Sequence, residues 1–196
     1  LVVALMIFKF SSESFNKYRT EKNILKGETY LYSKNYEEAL KIFQKILKSN
    51  PKEGRVYYNL GIIYLNKNQN DKAMEAMEKA IKLDETNLYY KTGLARALIA
   101  GNNIPPAISG LEKVIALNKN ISDAYLYLGE AYYKQGNKDK ALKNFNYCTE
   151  KFAGTETAVT AANWIGKLNS KNNEKNAIIS ALLEEGNRFL YQKKYT

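Results

Sequence analysis

Four alanines, Ala39, Ala73, Ala107 and Ala141, stand at equal intervals of 34 residues. No other feature limits the fold as much, because the neighbours of each alanine recur with it. Four residues on come Phe43, Met77, Leu111 and Phe145, and three further come Ile46, Ala80, Val114 and Cys148. Twelve residues before each alanine stands another small residue: Gly27, Gly61, Ala95 and Gly129. Steps of three and four place side chains on one face of an α-helix. Each period therefore holds two helices, broken at polar turns such as Asn35-Tyr36, Gly101-Asn102-Asn103 and Gly136-Asn137. So short a helix pair cannot bury its apolar face alone and must stack on its neighbours. The expectation is an all-α chain, a solenoid of antiparallel helix pairs with small residues where helices cross. A bulky side chain in place of Ala73 or Ala141 should then overpack a crossing by roughly 1–3 kcal/mol.

Composition narrows the chemistry. The 196 residues include no histidine, which removes the commonest general base and metal ligand. Cys148 is the only cysteine, so neither an intrachain disulfide nor a cysteine-rich zinc site can form. It shares its slot with Ile46, Ala80 and Val114 and reads as a small buried hydrophobe. There is no phosphate-cradling glycine loop and no nucleophile–base pair. Glu37-Glu38 and Glu184-Glu185 are adjacent carboxylates, but adjacent helical positions point apart. The chain thus reads as non-enzymatic, with no cofactor and no metal. A net charge of +10 raises nucleic acid or an anionic membrane as partners. Lys41, Lys45, Lys48, Lys72, Lys79, Lys82, Lys138, Lys140 and Lys143, however, are scattered over successive second helices. They form solvated outer faces rather than one stripe, which argues against nucleic acid.

In chain order, Leu1 to Phe8 is an unbroken apolar run, too short to span a bilayer, which takes ~20 residues. It is either the remnant of a membrane anchor or a capping helix. The absence of helical striping favours the anchor, with Ser11 to Arg19 as a juxtamembrane linker or helix beyond it. Four repeats follow, at 20–53, 54–87, 88–121 and 122–155. The third is the least regular, with Lys91, Ala95 and Leu98 where the others carry an aromatic, a glycine and a tyrosine. Glu156 to Leu168 reads as one more helix, whose Trp164 packs on the last repeat rather than forming a ligand platform. Glu174 to Lys194 reads as a longer helix in which Gly186 and Phe189 echo Gly27 and Tyr30. A further repeat would begin near Ile179 and stop partway, as in a fragment of a longer protein.

Tyr125, Leu128, Gly129 and Tyr132, followed by Ala141 and Phe145, give aromatic-x-x-Leu-Gly-x-x-Tyr and then Ala-x-x-x-Phe. With its period of 34, the pattern resembles the tetratricopeptide repeat over about residues 20–155. The resemblance implies a right-handed superhelix whose first helices line a concave groove for peptides or helices of partner proteins. Carried over position by position, the groove takes Glu28 and Tyr32 from the first repeat, with Glu21, Ile24 and Leu31 beside them. The second repeat supplies Arg55, Tyr58, Asn59 and Ile62, with Asn66 beside them, and the third Tyr89, Thr92 and Arg96, with Ile99. The fourth supplies Asp123, Leu126, Tyr127, Glu130, Tyr133 and Lys134. Tyrosine and arginine are the residue types that most often carry binding energy at interfaces. One subclass of the family grips carboxylate tails with Lys, Asn and Arg at fixed positions. Asn59 matches one of them, but Ile24, Glu28, Tyr89 and Gly93 occupy the others, so a chaperone-tail adaptor is disfavoured. The implied function is a non-enzymatic protein–protein interaction scaffold. The apolar start and the Lys/Asn-rich composition point further to a membrane-tethered complex in a bacterial cell envelope. A soluble cytoplasmic adaptor and a nucleic-acid-associated basic protein are the alternatives.

Overall fold

The chain is a succession of helices: α1 (Val2–Tyr32), α2 (Tyr36–Ser49), α3 (Gly54–Asn66), α4 (Asn70–Leu83), α5 (Leu88–Ala100), α6 (Ile104–Leu117), α7 (Ser122–Lys134) and α8 (Lys138–Lys151). A ninth, α9, is described over residues 156–170. The computed structural model describes residues 2–170, with side chains from residue 14 onward, and all regular structure within them is helical. The helix suggested for Glu174 to Lys194 and the restart near Ile179 lie outside the described residues.

One turn, built four times, sets the architecture. Three residues join the helices of each pair, and the middle one has positive φ: Lys34 at 61°, Asn68 at 56°, Asn102 at 62° and Gly136 at 85°. In each turn the next amide reaches back to a helix-end carbonyl. Asn35 donates to Tyr30 at 2.8 Å, Gln69 to Tyr64 at 2.9 Å, Asn103 to Leu98 at 2.8 Å and Asn137 to Tyr132 at 2.9 Å. A left-handed residue with this bonding satisfies carbonyls that the helix end would leave orphaned. It also folds the second helix back along the first.

The chain divides into two compact units, residues 1–114 and 115–196. In the first, α1 pairs with α2 and α3 with α4, while α3 also packs on α1 and α2, and α5 on α3 and α4. In the second, α7 pairs with α8. The core follows the alanine register. Ala39, Ala73, Ala107 and Ala141 are fully buried, as are Phe43, Met77, Leu111 and Phe145. At the crossing positions Gly27, Gly61 and Gly129, the missing side chain lets the backbone lie flat on the large side chain sixteen residues on. A Cβ on Gly27 would stand 2.5 Å from Phe43 Cε1, one on Gly61 2.6 Å from Met77 Cε, and one on Gly129 2.5 Å from Phe145 Cε1. The third repeat puts Ala95 with Leu111 at the same two positions, trading a methyl for a smaller partner than phenylalanine.

Helix α1 has 31 residues, whereas α3, α5 and α7 have 13 each. Residues 2–19 and the first helix of the first pair are therefore one uninterrupted helix. Among the described residues, no helix is long and apolar enough to cross a membrane. Whether residues 1–8 are an anchor remnant or a cap turns on side chains outside the described ones.

Candidate partner-binding surface

In the first unit, Arg55 enters α3 at its second residue and faces two acids of α1. Its Nε and one terminal nitrogen donate to Glu28 Oε1 at 2.8 Å and Oε2 at 2.6 Å, and the other terminal nitrogen donates to Glu21 at 2.6 Å. One turn further along α3, Asn59 Nδ2 donates to the same Glu28 Oε1 at 2.8 Å. A planar guanidinium suits this fork, and ionised partners make its hydrogen bonds strong. The Glu28 side chain is only 13% exposed, Asn59 is buried, and the Arg55 side chain remains 39% exposed. Hydrogen bonding to Glu28 pushes the Arg55 pKa further up. Nearby, burial and then the charge of Glu21 raise the Glu53 carboxyl above its ordinary range.

This cluster ties α1 to α3, and it changes the reading of three expected groove residues. Glu28, Arg55 and Asn59 come together as one internal link, so Asn59 is turned onto a carboxylate of its own chain. Ile24, Leu31 and Ile99 are buried in the core. Thr92 is buried too, its hydroxyl donating to the Leu88 carbonyl at 2.8 Å. Ile62 and Arg96 are half-buried. Tyr58 lies 5.4 Å from the Tyr90 ring, in space that a Cβ on Gly93 would take, 2.8 Å from its ring. Tyr32 and Tyr89 are held out in solvent, at 81% and 62% exposure.

The second unit repeats the design with different donors. Asp123 and Glu130 of α7 hold the same two register positions as Glu21 and Glu28 in α1. Thr157 donates its hydroxyl to Asp123 at 2.7 Å, and Trp164 Nε1 donates to Glu130 at 3.1 Å, both from α9 and both across 34 residues. The Trp164 ring stacks on Phe145, centroids 5.7 Å apart and 5° from parallel, and lies 5.2 Å from Tyr133. It packs on the last pair, as expected for the sole tryptophan. Leu126 is buried, Tyr127 half-buried and Lys134 exposed. Sequence reading missed Thr157 and Trp164 as link donors, although each stands one period beyond its acceptor. Among the described residues no buried side-chain nitrogen or oxygen lacks a hydrogen-bond partner.

Helix pairs in one register, closed by a recurring left-handed turn and stacked through small residues, define a helical-hairpin repeat protein. A family model described as tetratricopeptide repeat matches residues 30–97, and a second of the same description matches residues 123–155. The chain belongs to the tetratricopeptide repeat family, whose members are in general protein–protein interaction scaffolds and mostly non-enzymatic. A TPR repeat-containing protein of Methanocaldococcus jannaschii is 30% identical over 138 residues, 70% of this chain and 24% of that protein. The chain spans about a quarter or less of the length of the first curated relatives it matches. Among solved structures, Pseudomonas aeruginosa pilF aligns with a TM-score of 0.66 at 19% identity, covering 81% of this chain and 71% of that one. YrrB, described as a TPR protein with an unusual peptide-binding site, aligns with a TM-score of 0.56 at 25% identity, covering 78% and 81%.

Proposed function

We propose that the chain is a non-enzymatic scaffold that holds a peptide or helix of a partner protein against its first helices. One observation carries this reading: once the internal links are closed, the first helices of the first unit still hold large aromatics out in water. Beyond α1, Tyr89 is the most exposed of them, with half-buried Tyr58 and Ile62 on the same set of helices. Amphipathic rings of this kind supply binding energy when covered. The wall of α1 and α3 is locally acidic, with Glu21, Glu28 and Glu53 around the single Arg55, although the chain as a whole is strongly basic. A segment that brings a basic residue among apolar ones suits it best. In the second unit, Tyr127 and Lys134 would serve the same purpose. The peptide-binding site of YrrB supports a peptide as the ligand class.

The apolar run Leu1–Phe8 and the Lys/Asn-rich composition support a place at a membrane, in a bacterial envelope complex. A photo-reactive residue substituted for Tyr89 or Tyr58 in the full-length protein should give discrete adducts in cells. Gln44, exposed on the second helix α2, should give none. Equal labelling from Gln44, or no adduct from either tyrosine, would remove the groove reading. Fractionation that leaves the full-length protein wholly soluble would remove the tether.

A further inference from the structure

Along α1, Phe15, Tyr18, Leu25 and Tyr32 are exposed by 65%, 66%, 51% and 81%. Their steps of three, seven and seven are those of a and d positions in a seven-residue repeat, with Lys22 and Thr29 at the intervening a positions. The stripe lies across the helix from Ile24, Gly27 and Leu31, the face that α1 buries against its own pair. Helix α2 has 14 residues and folds straight back, so it shields only a matching length of α1. About 17 residues of α1 run beyond it, roughly 25 Å of helix at 1.5 Å per residue.

The charges beside the stripe select its occupant. The g positions hold Ser14, Glu21 and Glu28, and the e positions hold Arg19 and Lys26, so every charge on one flank is acidic and every charge on the other basic. Ser14, Arg19 and Lys26 are exposed, and Glu21, which also holds Arg55, is about half exposed. In a parallel two-stranded coil, each g residue meets the e residue five positions on in the other strand. Glu21 would meet Lys26 of the second copy, twice by symmetry, and the neutral Ser14 would meet Arg19. An antiparallel pair would set g against g and e against e, acid on acid and base on base. We propose that α1 is the seam of a parallel two-stranded coiled coil formed with a second copy of this chain. Lys22 at an a position lowers the stability of such a seam but favours two strands in one register. A helix lying on a bilayer would keep its basic residues on its polar flanks. Here Lys22 stands inside the apolar stripe, between Tyr18 and Leu25, and one flank carries Glu21 and Glu28.

Sedimentation equilibrium of the chain should show a dimer. Phe15→Ser with Leu25→Ser should give a monomer of unchanged helix content, because both side chains are exposed. Lys26→Glu turns the two symmetry-related attractions to Glu21 into repulsions and should weaken the dimer about tenfold. Lys22→Cys should link two copies on mild oxidation, since like a positions face each other in a parallel pair, whereas Gln44→Cys should not. The native Cys148 is buried and does not interfere. A chain that stays monomeric at the highest concentration reached would overturn the proposal. So would a dimer that survives the Phe15/Leu25 change, is indifferent to Lys26→Glu or fails to link at position 22. Binding as a monomer to phosphatidylserine-containing vesicles, lost with Phe15→Ser, would assign the stripe to a membrane instead.

Discussion

Gly129→Ala adds one methyl group at a helix crossing, and the structure predicts its cost with a built-in control. The new Cβ would lie 2.5, 2.7 and 2.9 Å from three atoms of the Phe145 ring. Ordinary carbon contacts begin near 3.5 Å, so the ring would have to retreat by roughly an ångström. Phe145 is fully buried and stacked on Trp164, so it has nowhere soft to go. Overpacking of this kind costs about 1–3 kcal/mol, offset by the ~0.5–1 kcal/mol a helix gains when glycine becomes alanine. Gly166, in α9 of the same unit, has nothing within 4 Å of its ideal Cβ. Gly166→Ala therefore isolates the propensity gain and should stabilise by ~0.5–1 kcal/mol. The readout is urea unfolding followed by Trp164 fluorescence, the sole tryptophan being stacked on the displaced ring. The Gly129→Ala midpoint should fall by about 0.5–1 M and the Gly166→Ala midpoint should rise. Phe145→Leu added to Gly129→Ala recreates the Ala95/Leu111 combination of the third repeat, and the double change should cost less than the two single costs together. Equal midpoint shifts at 129 and 166, or strict additivity with Phe145→Leu, would refute the account of how these helices cross.

The left-handed turn residues differ in side chain, so Lys34→Gly should stabilise by about 1 kcal/mol, read as a higher melting temperature. Asn68→Gly should gain less, because asparagine tolerates that conformation better. Removing either partner of the α1–α3 link should leave a buried polar group short of a bond. Arg55→Ala leaves the 13%-exposed Glu28 carboxylate short of its donor and should cost about 2–3 kcal/mol. Glu28→Ala leaves the more exposed Arg55 still bonded to Glu21 but strips the buried Asn59 amide of its acceptor, so it should cost about as much, both measured by chemical denaturation. The Cys148 thiol, pushed up to about 12 by burial and then by Asp123, should resist alkylation at pH 8 in the native protein. Its labelling rate should follow unfolding, and fast labelling of folded protein would contradict its burial.

The repeat was legible because it is written in volumes. Glycine or alanine must stand where backbones cross, so Gly27, Ala39 and their successors announce the packing in any one copy. The links between copies were harder to see. Glu28 and Arg55 were both expected on the groove face, but as separate groups open to a partner. The available signal was an acid at one register position and a base seven positions earlier in the next repeat, and no intrahelical spacing displays that pairing. Beyond Thr155 the small-residue code lapses, with Asn163 where a glycine would stand and Gly166 where a tyrosine would. The register nonetheless persists in the hydrogen bonds of Thr157 and Trp164. The apolar run at the start concealed the continuity of α1, because an all-round hydrophobic stretch shows no stripe to follow into the polar residues after it.

The matched acids of α1 and α7 bear on how such an array can be edited. Both present a carboxylate at the same two places, yet one is answered by a single arginine and the other by a threonine and an indole. Cutting out residues 54–87 would keep the period intact and leave Glu21 opposite Tyr89, a mismatch at a seam where every helix still fits. Copies that look interchangeable are thus keyed to their own successors, and reordering them would mean recutting each key.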